Sequence, residues 1–140
     1  MSMKQFVTFR IGSDLFGIDV RSVREINRVL DATPVPHAPE YVRGLVNLRG
    51  QTVTVFDLGV RLGLPRREIT GESHNVVLKG DLVGLLVDAI GDVLQCDESE
   101  IEPLPANTSS GEGKFIEAVV KLRDELLVVL SAARILERGC

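Results

Sequence analysis

The stretch YVRGLVNLRGQTVTVFDL, residues 41–58, constrains the fold of this chain more than any other. Thr52-Val53-Thr54-Val55 alternates polar and apolar side chains, the period of a half-buried strand. A second apolar strand precedes it, and the two meet at Arg49-Gly50. A two-residue link between such strands is a tight β-hairpin, for which Asn-Gly would be the ordinary choice. Gly50 tolerates φ > 0, as a type II turn or a G1 bulge requires. Glycine is therefore expected to make the bend, leaving Arg49 as an exposed tip free to act as a contact.

The same period recurs along the chain. In KQFVTFRI, Phe6, Thr8 and Arg10 share one strand face, while Val7, Phe9 and Ile11 form a wholly apolar face that should point inward. Gly12-Ser13-Asp14 supplies turn chemistry, and residues 15–18 return as a strand. Asp19 is a fair N-cap for a short helix over 20–26, with Val20, Val23 and Ile26 on one stripe. Residues 31–39 hold three prolines and read as an extended connector. A helical turn over 58–62, ended by Gly63 and Pro65, precedes a polar loop at 65–73. Further strands are expected at 75–79, from 82 onward, and at 115–122 and 125–130 around Arg123-Asp124. The acidic segment 97–113 is expected to be a mobile loop, and a short helix over 131–137 closes the chain.

Two stretches repeat. Asp14-Leu15-Phe16-Gly17-Ile18 matches Asp81-Leu82-Val83-Gly84-Leu85 at an offset of 67 (Asp14 to Asp81), and 45–62 matches 119–136 at an offset of 74 (Leu45 to Val119). Short apolar strands all resemble one another, so the match by itself does not decide for duplication. If it is a duplication, it predicts two small β-barrel lobes, which hide their strand edges by closing.

Composition excludes several functions. The chain has 140 residues, 44% of them hydrophobic and 26% charged, which suits one globular domain or two small lobes. A net charge of −4 and an aromatic content of 4% argue against nucleic-acid binding, which needs a basic face and stacking platforms. The apolar run at 82–94 is broken by Gly84, Asp88, Gly91 and Asp92 and is too short to span a bilayer. No signal peptide is visible, and Cys96 and Cys140 have neither C-x-x-C spacing nor partner histidines, so a cytoplasmic location is expected. His37 and His74 lack ligands at helical spacing, Asp57, Asp88 and Asp92 read as caps or turn residues, and Cys96 reads as a small semi-buried residue. The scattered glycines form no phosphate-binding pattern. No catalytic residue, metal site or cofactor is expected, and a binding module is the leading class.

The motif V-x-G-L-V-N-L-R-G-Q-x-V-x-V-F-D-L resembles that of the CheW family of chemotaxis coupling proteins. The opening segment from Phe6, T-P-V-P at 33–36 and V-G-L-L-V-D at 83–88 extend the likeness over nearly the whole chain. The resemblance implies a mainly β fold of two five-stranded SH3-like β-barrel lobes with short helices, in one domain over 1–140. Approximate halves at 4–65 and 73–138 are expected, with exchange of strands between lobes left open. It also implies a non-enzymatic, cofactor-free adaptor that bridges a methyl-accepting chemoreceptor cytoplasmic tip to the regulatory domain of a CheA-type histidine kinase, without nucleic acid or membrane insertion. Carried over by position, Val23, Glu25, Gly44 and Arg49 would face the receptor, with Glu25 and Arg49 as an ion pair. Val29 and Leu30 would face the kinase, as adjacent strand residues cannot both point into one core. This chain has Thr54 where the family usually has proline, which leaves open an adaptor of another chemosensory pathway, such as twitching or development. A small β-barrel ligand or nucleic-acid binder is the remaining alternative.

Overall fold

Strand β1 (Met3–Ile11) is buried on both faces, and this sets the architecture. Val7, Phe9 and Ile11 point into a central core, as expected, but Phe6 on the opposite face is buried in a second core. Thr8, between them, is also buried and donates its hydroxyl to the Asp92 carbonyl. A strand with two apolar faces has to lie between two layers.

The computed structural model describes residues 2–28, 32–104 and 114–137. The remaining strands are β2 (Asp14–Asp19), β3 (Val23–Arg28), β4 (Val42–Leu48), β5 (Gln51–Asp57), β6 (His74–Leu78), β7 (Val83–Val87), β8 (Ala89–Asp97), β9 (Ile101–Pro103), β10 (Ile116–Lys121) and β11 (Leu126–Leu130). Helix α1 (Leu58–Arg61) follows β5 and helix α2 (Ala132–Leu136) follows β11. One sheet runs β8-β1-β2-β11-β10-β9 and the other β3-β6-β7-β5-β4. The central core joins β1 and β2 residues to Val76, Leu78, Leu85 and Val87 of the other sheet, with Leu58, Leu62 and Ile135 from the helices. Each lobe also has its own interior: Phe6, Leu15, Cys96, Ala118, Val120, Leu127 and Val129 in one, and a smaller group around Val55 and Leu86 in the other.

The repeat is present in the strand registers. Phe16 pairs with Val128 in the parallel pair β2–β11, as Val83 pairs with Thr54 in β7–β5, and the offsets are again 67 (Phe16 to Val83) and 74 (Thr54 to Val128). The bulge between Val42 and Gly44 recurs between Ile116 and Ala118 at the same offset of 74 (Val42 to Ile116). Phe9 opposite Ile90 corresponds to Leu78 opposite Val23, at offsets of 69 (Phe9 to Leu78) and 67 (Val23 to Ile90). The edge strand of each repeat has crossed over: β3 pairs with β6, and β8 pairs with β1. Sheet membership therefore does not follow the halves 4–65 and 73–138.

Three local expectations are corrected. Asp19 does cap, accepting from the Arg21 N–H, but the helix is a single 3-10 turn, Val20–Ser22. The segment expected to continue it is β3, because β-branched Val23 and Ile26 pair with Leu78 and Val76 of β6. The first sheet has six strands rather than five. Ile101 packs on the lobe interior and β9 pairs with β10, so the segment 97–113 is ordered at its start. A 3-10 turn at Glu98–Glu100 leads into β9, with the Asp97 N–H donating to the Glu100 carboxylate. Residues 105–113 lie outside the described residues.

Thr54 is interior to its sheet, between β7 and β4, and its N–H donates to the Leu82 carbonyl at 2.9 Å. Among the described residues, no helix is long and apolar enough to cross a membrane.

Candidate functional site at the hairpin tip

Arg49 is itself a turn residue. Its φ is 50° and that of Gly50 is 85°, and β4 and β5 close directly around them, with Leu48 opposite Gln51. Positive φ at both central positions is the requirement of a type I′ hairpin, which matches strand twist better than the turns expected from sequence. Asn47 helps to hold the bend by accepting the Gly50 N–H on its side-chain oxygen at 3.0 Å. Glycine thus does not relieve Arg49 of the turn. An arginine in the left-handed region is uncommon, because its Cβ crowds the following carbonyl.

The guanidinium reaches Glu25 on β3 through two hydrogen bonds of 2.9 Å. Strands β3 and β4 are the opposite edges of one sheet, so this fork links the sheet to itself and marks its closure into a barrel. Arg24 adds a second link, donating to the Gln51 side chain at 3.0 Å. The Arg49 side chain is 76% exposed and that of Glu25 19%, so the cation stands outward and the carboxylate is held at the barrel mouth. The Arg49 hydrogen bonds, aided by its charge, hold the Glu25 carboxyl below the usual glutamate range, while partial desolvation opposes them. Bidentate geometry gives this surface pair orientation more than stability.

The other expected site residues are placed as follows. Val23 begins β3 and packs on the central core, two residues from Glu25. Gly44 has φ 150°, and a Cβ there would stand 2.5 Å from the Thr33 carbonyl oxygen. Its nearest neighbour is the proline-rich connector, which pairs with β4 through two Thr33–Leu45 hydrogen bonds of 2.8 Å. Val29 and Leu30 lie outside the described residues. Sequence reasoning missed Arg24, Gln51, Asn27 and Asn75, which touch or back the pair; with 20–26 read as a helix, the shared face of Glu25 and Asn27 on β3 gave no signal.

The carboxylates away from the tip are structural. Asp57 is buried and caps α1 through Val60 N–H, while its other oxygen accepts from Arg67 N–H and lies 3.5 Å from Arg43. Asp88 accepts from the Gly12 N–H. Cys96 is a buried free thiol whose pKa is raised by desolvation, with a smaller push from Glu100. Among the described residues, no cluster of three or more histidine, cysteine or carboxylate groups could hold a metal ion.

The model of the CheW-like domain matches residues 5–140. The chain belongs to the CheW family. It is 36% identical over 129 residues to the chemotaxis protein CheW of Rhizobium meliloti, covering 91% of this chain and 83% of that protein. It is 33% identical over 137 residues to the Bacillus subtilis chemotaxis protein CheW, covering 96% and 88%. The crystal structure of the scaffolding protein TtCheW from Thermoanaerobacter tengcongensis is similar at a TM-score of 0.87 and 30% identity, over 99% of this chain and 91% of that one. As a CheW-family member, this protein is a non-enzymatic chemotaxis adaptor, and its two β lobes are the family's fold.

Proposed function

We propose that this CheW-family chain works in the cytoplasm, where it joins the cytoplasmic tip of a methyl-accepting chemoreceptor to the regulatory domain of a CheA-type kinase. Arg49, Glu25 and Val23 form the receptor-facing group in this reading. The observation that carries it is the exposed, forked arginine at a strained turn. A hairpin needing only a bend would place Asn or Gly at that position, and an arginine there sacrifices local stability for presentation. Its guanidinium keeps donors free beyond the two given to Glu25, and a planar fork suits a carboxylate or carbonyl of a partner helix.

Gly44 takes a supporting part, since it lets the connector lie against β4 and so fixes the hairpin. Val29 and Leu30, directly after β3, remain the proposed kinase contact on sequence position alone. An adaptor of this kind presents separate patches on one rigid body, and each contact can be weak where an array raises effective concentration. The test is a titration of the full chain against a receptor cytoplasmic fragment and, separately, a kinase regulatory domain. Binding of both at tens of micromolar or tighter supports the reading, and binding of neither refutes it.

A further inference from the structure

The two lobes are repeats, but one cross-strand pair differs in kind between them. In the first lobe Phe6 on β1 faces Leu94 on β8, and both belong to the apolar interior. The corresponding pair in the second lobe is Asn75 on β6 facing Asn27 on β3, at offsets of 69 (Phe6 to Asn75) and 67 (Asn27 to Leu94). Gly17 stands beside Phe6 and Gly84 beside Asn75; a Cβ on Gly17 would press on Leu127 and touch Phe6, while one on Gly84 would collide with the Asn75 side-chain oxygen. The fold therefore accepts an apolar pair at this place and carries two amides instead. Asn75 is 1% exposed, and its Oδ1 has no hydrogen-bond partner. An unpartnered buried amide oxygen is unfavourable and needs a reason.

We propose that Asn27 and Asn75 are positioning residues that orient the Glu25 carboxylate towards Arg49. Glu25 and Asn27 are two apart on β3 and share its inward face. An ionised carboxylate only accepts, so the Asn27 amide must turn its NH2 to Glu25, which it does over a long 3.5 Å bond. Its oxygen then faces Asn75, whose NH2 donates to it, also at 3.5 Å. That choice leaves Asn75 Oδ1 against Gly84, where no donor stands. The direction of the whole row is thus set by the charge on Glu25, and its strain is left at the buried end. The row runs from the exposed hairpin tip to the interior of the barrel.

The inference rests on the receptor-facing reading of Glu25 only for its binding arm. The experiment compares the full chain with Asn27→Leu, which installs the residue of the first lobe, and Asn27→Ala, which removes the donor without adding charge. NMR titration of the Glu25 carboxyl and receptor-fragment affinity are read for each, alone and in a Glu25→Gln background. The carboxyl midpoint should rise by roughly half a unit or more in both variants. Receptor affinity should weaken about three- to tenfold. Thermal stability of Asn27→Leu should fall, because the buried Asn75 NH2 then loses its acceptor, and neither change should alter affinity once Glu25 is Gln. An unchanged Glu25 midpoint in Asn27→Ala overturns the proposal, whatever the affinity does. If Glu25→Gln itself leaves receptor affinity unchanged, the receptor reading fails while the titration still decides the positioning role.

Discussion

Replacing Gly44 by alanine separates a contact residue from a structural one. A Cβ at this position would stand 2.5 Å from the Thr33 carbonyl oxygen and 2.8 Å from its carbon, both backbone atoms that cannot swing aside. The connector must then move, with loss of the two Thr33–Leu45 hydrogen bonds. Those bonds contribute about 1 kcal/mol each. Holding alanine at φ 150° adds about 1–3 kcal/mol of backbone strain. The sum is a loss of about 3–5 kcal/mol, or roughly 10–20 °C in Tm for a chain of this size. The bulge itself does not demand glycine, since its counterpart in the other lobe is Ala118. Chemical denaturation followed by far-UV circular dichroism measures the loss. A Gly44→Ala protein as stable as the parent, with receptor binding lost, would refute the steric account and make Gly44 a direct contact.

The remaining predictions concern the tip and the core. Arg49→Asn places a residue better suited to the type I′ turn, so Tm should hold or rise while receptor binding falls, as a melt and a titration would show. Glu25 has its pKa depressed by Arg49, so the pair's contribution is complete above the ordinary glutamate value of about 4.3 and is lost as pH falls through the lower folded value. Removing the guanidinium in Arg49→Ala should therefore move the Glu25 midpoint upward in an NMR titration. Phe9 is fully buried in the core shared by the two sheets, so Phe9→Ala should lower stability by about 3–5 kcal/mol in one cooperative transition. Separate melting of the two lobes would contradict a shared core.

Much of the fold was legible because strand period and turn chemistry are local. Gly12-Ser13-Asp14, Arg49-Gly50 and Gly63 were placed correctly, as were the caps Asp19 and Asp57. What escaped was set by partners distant in sequence. Residues 20–26 carry a helical stripe, yet pairing with His74–Leu78 makes Val23–Arg28 a strand. Ile101–Pro103 sits in an acidic, loop-like stretch and becomes a strand only because β10 offers an open edge. The crossing of β3 and β8 between the lobes has no local signal at all. Arg49 shows the opposite case: the residue was legible, but its left-handed backbone was not, because Gly50 alone satisfied the simpler turns.

The most direct test of the account is a paired titration of the full chain and its Arg49→His variant against a receptor cytoplasmic fragment and a kinase regulatory domain. The account predicts that the variant stays folded, keeps its kinase affinity and loses most of its receptor affinity. Equal receptor affinity in the two proteins would contradict it and leave Arg49 as a turn residue alone.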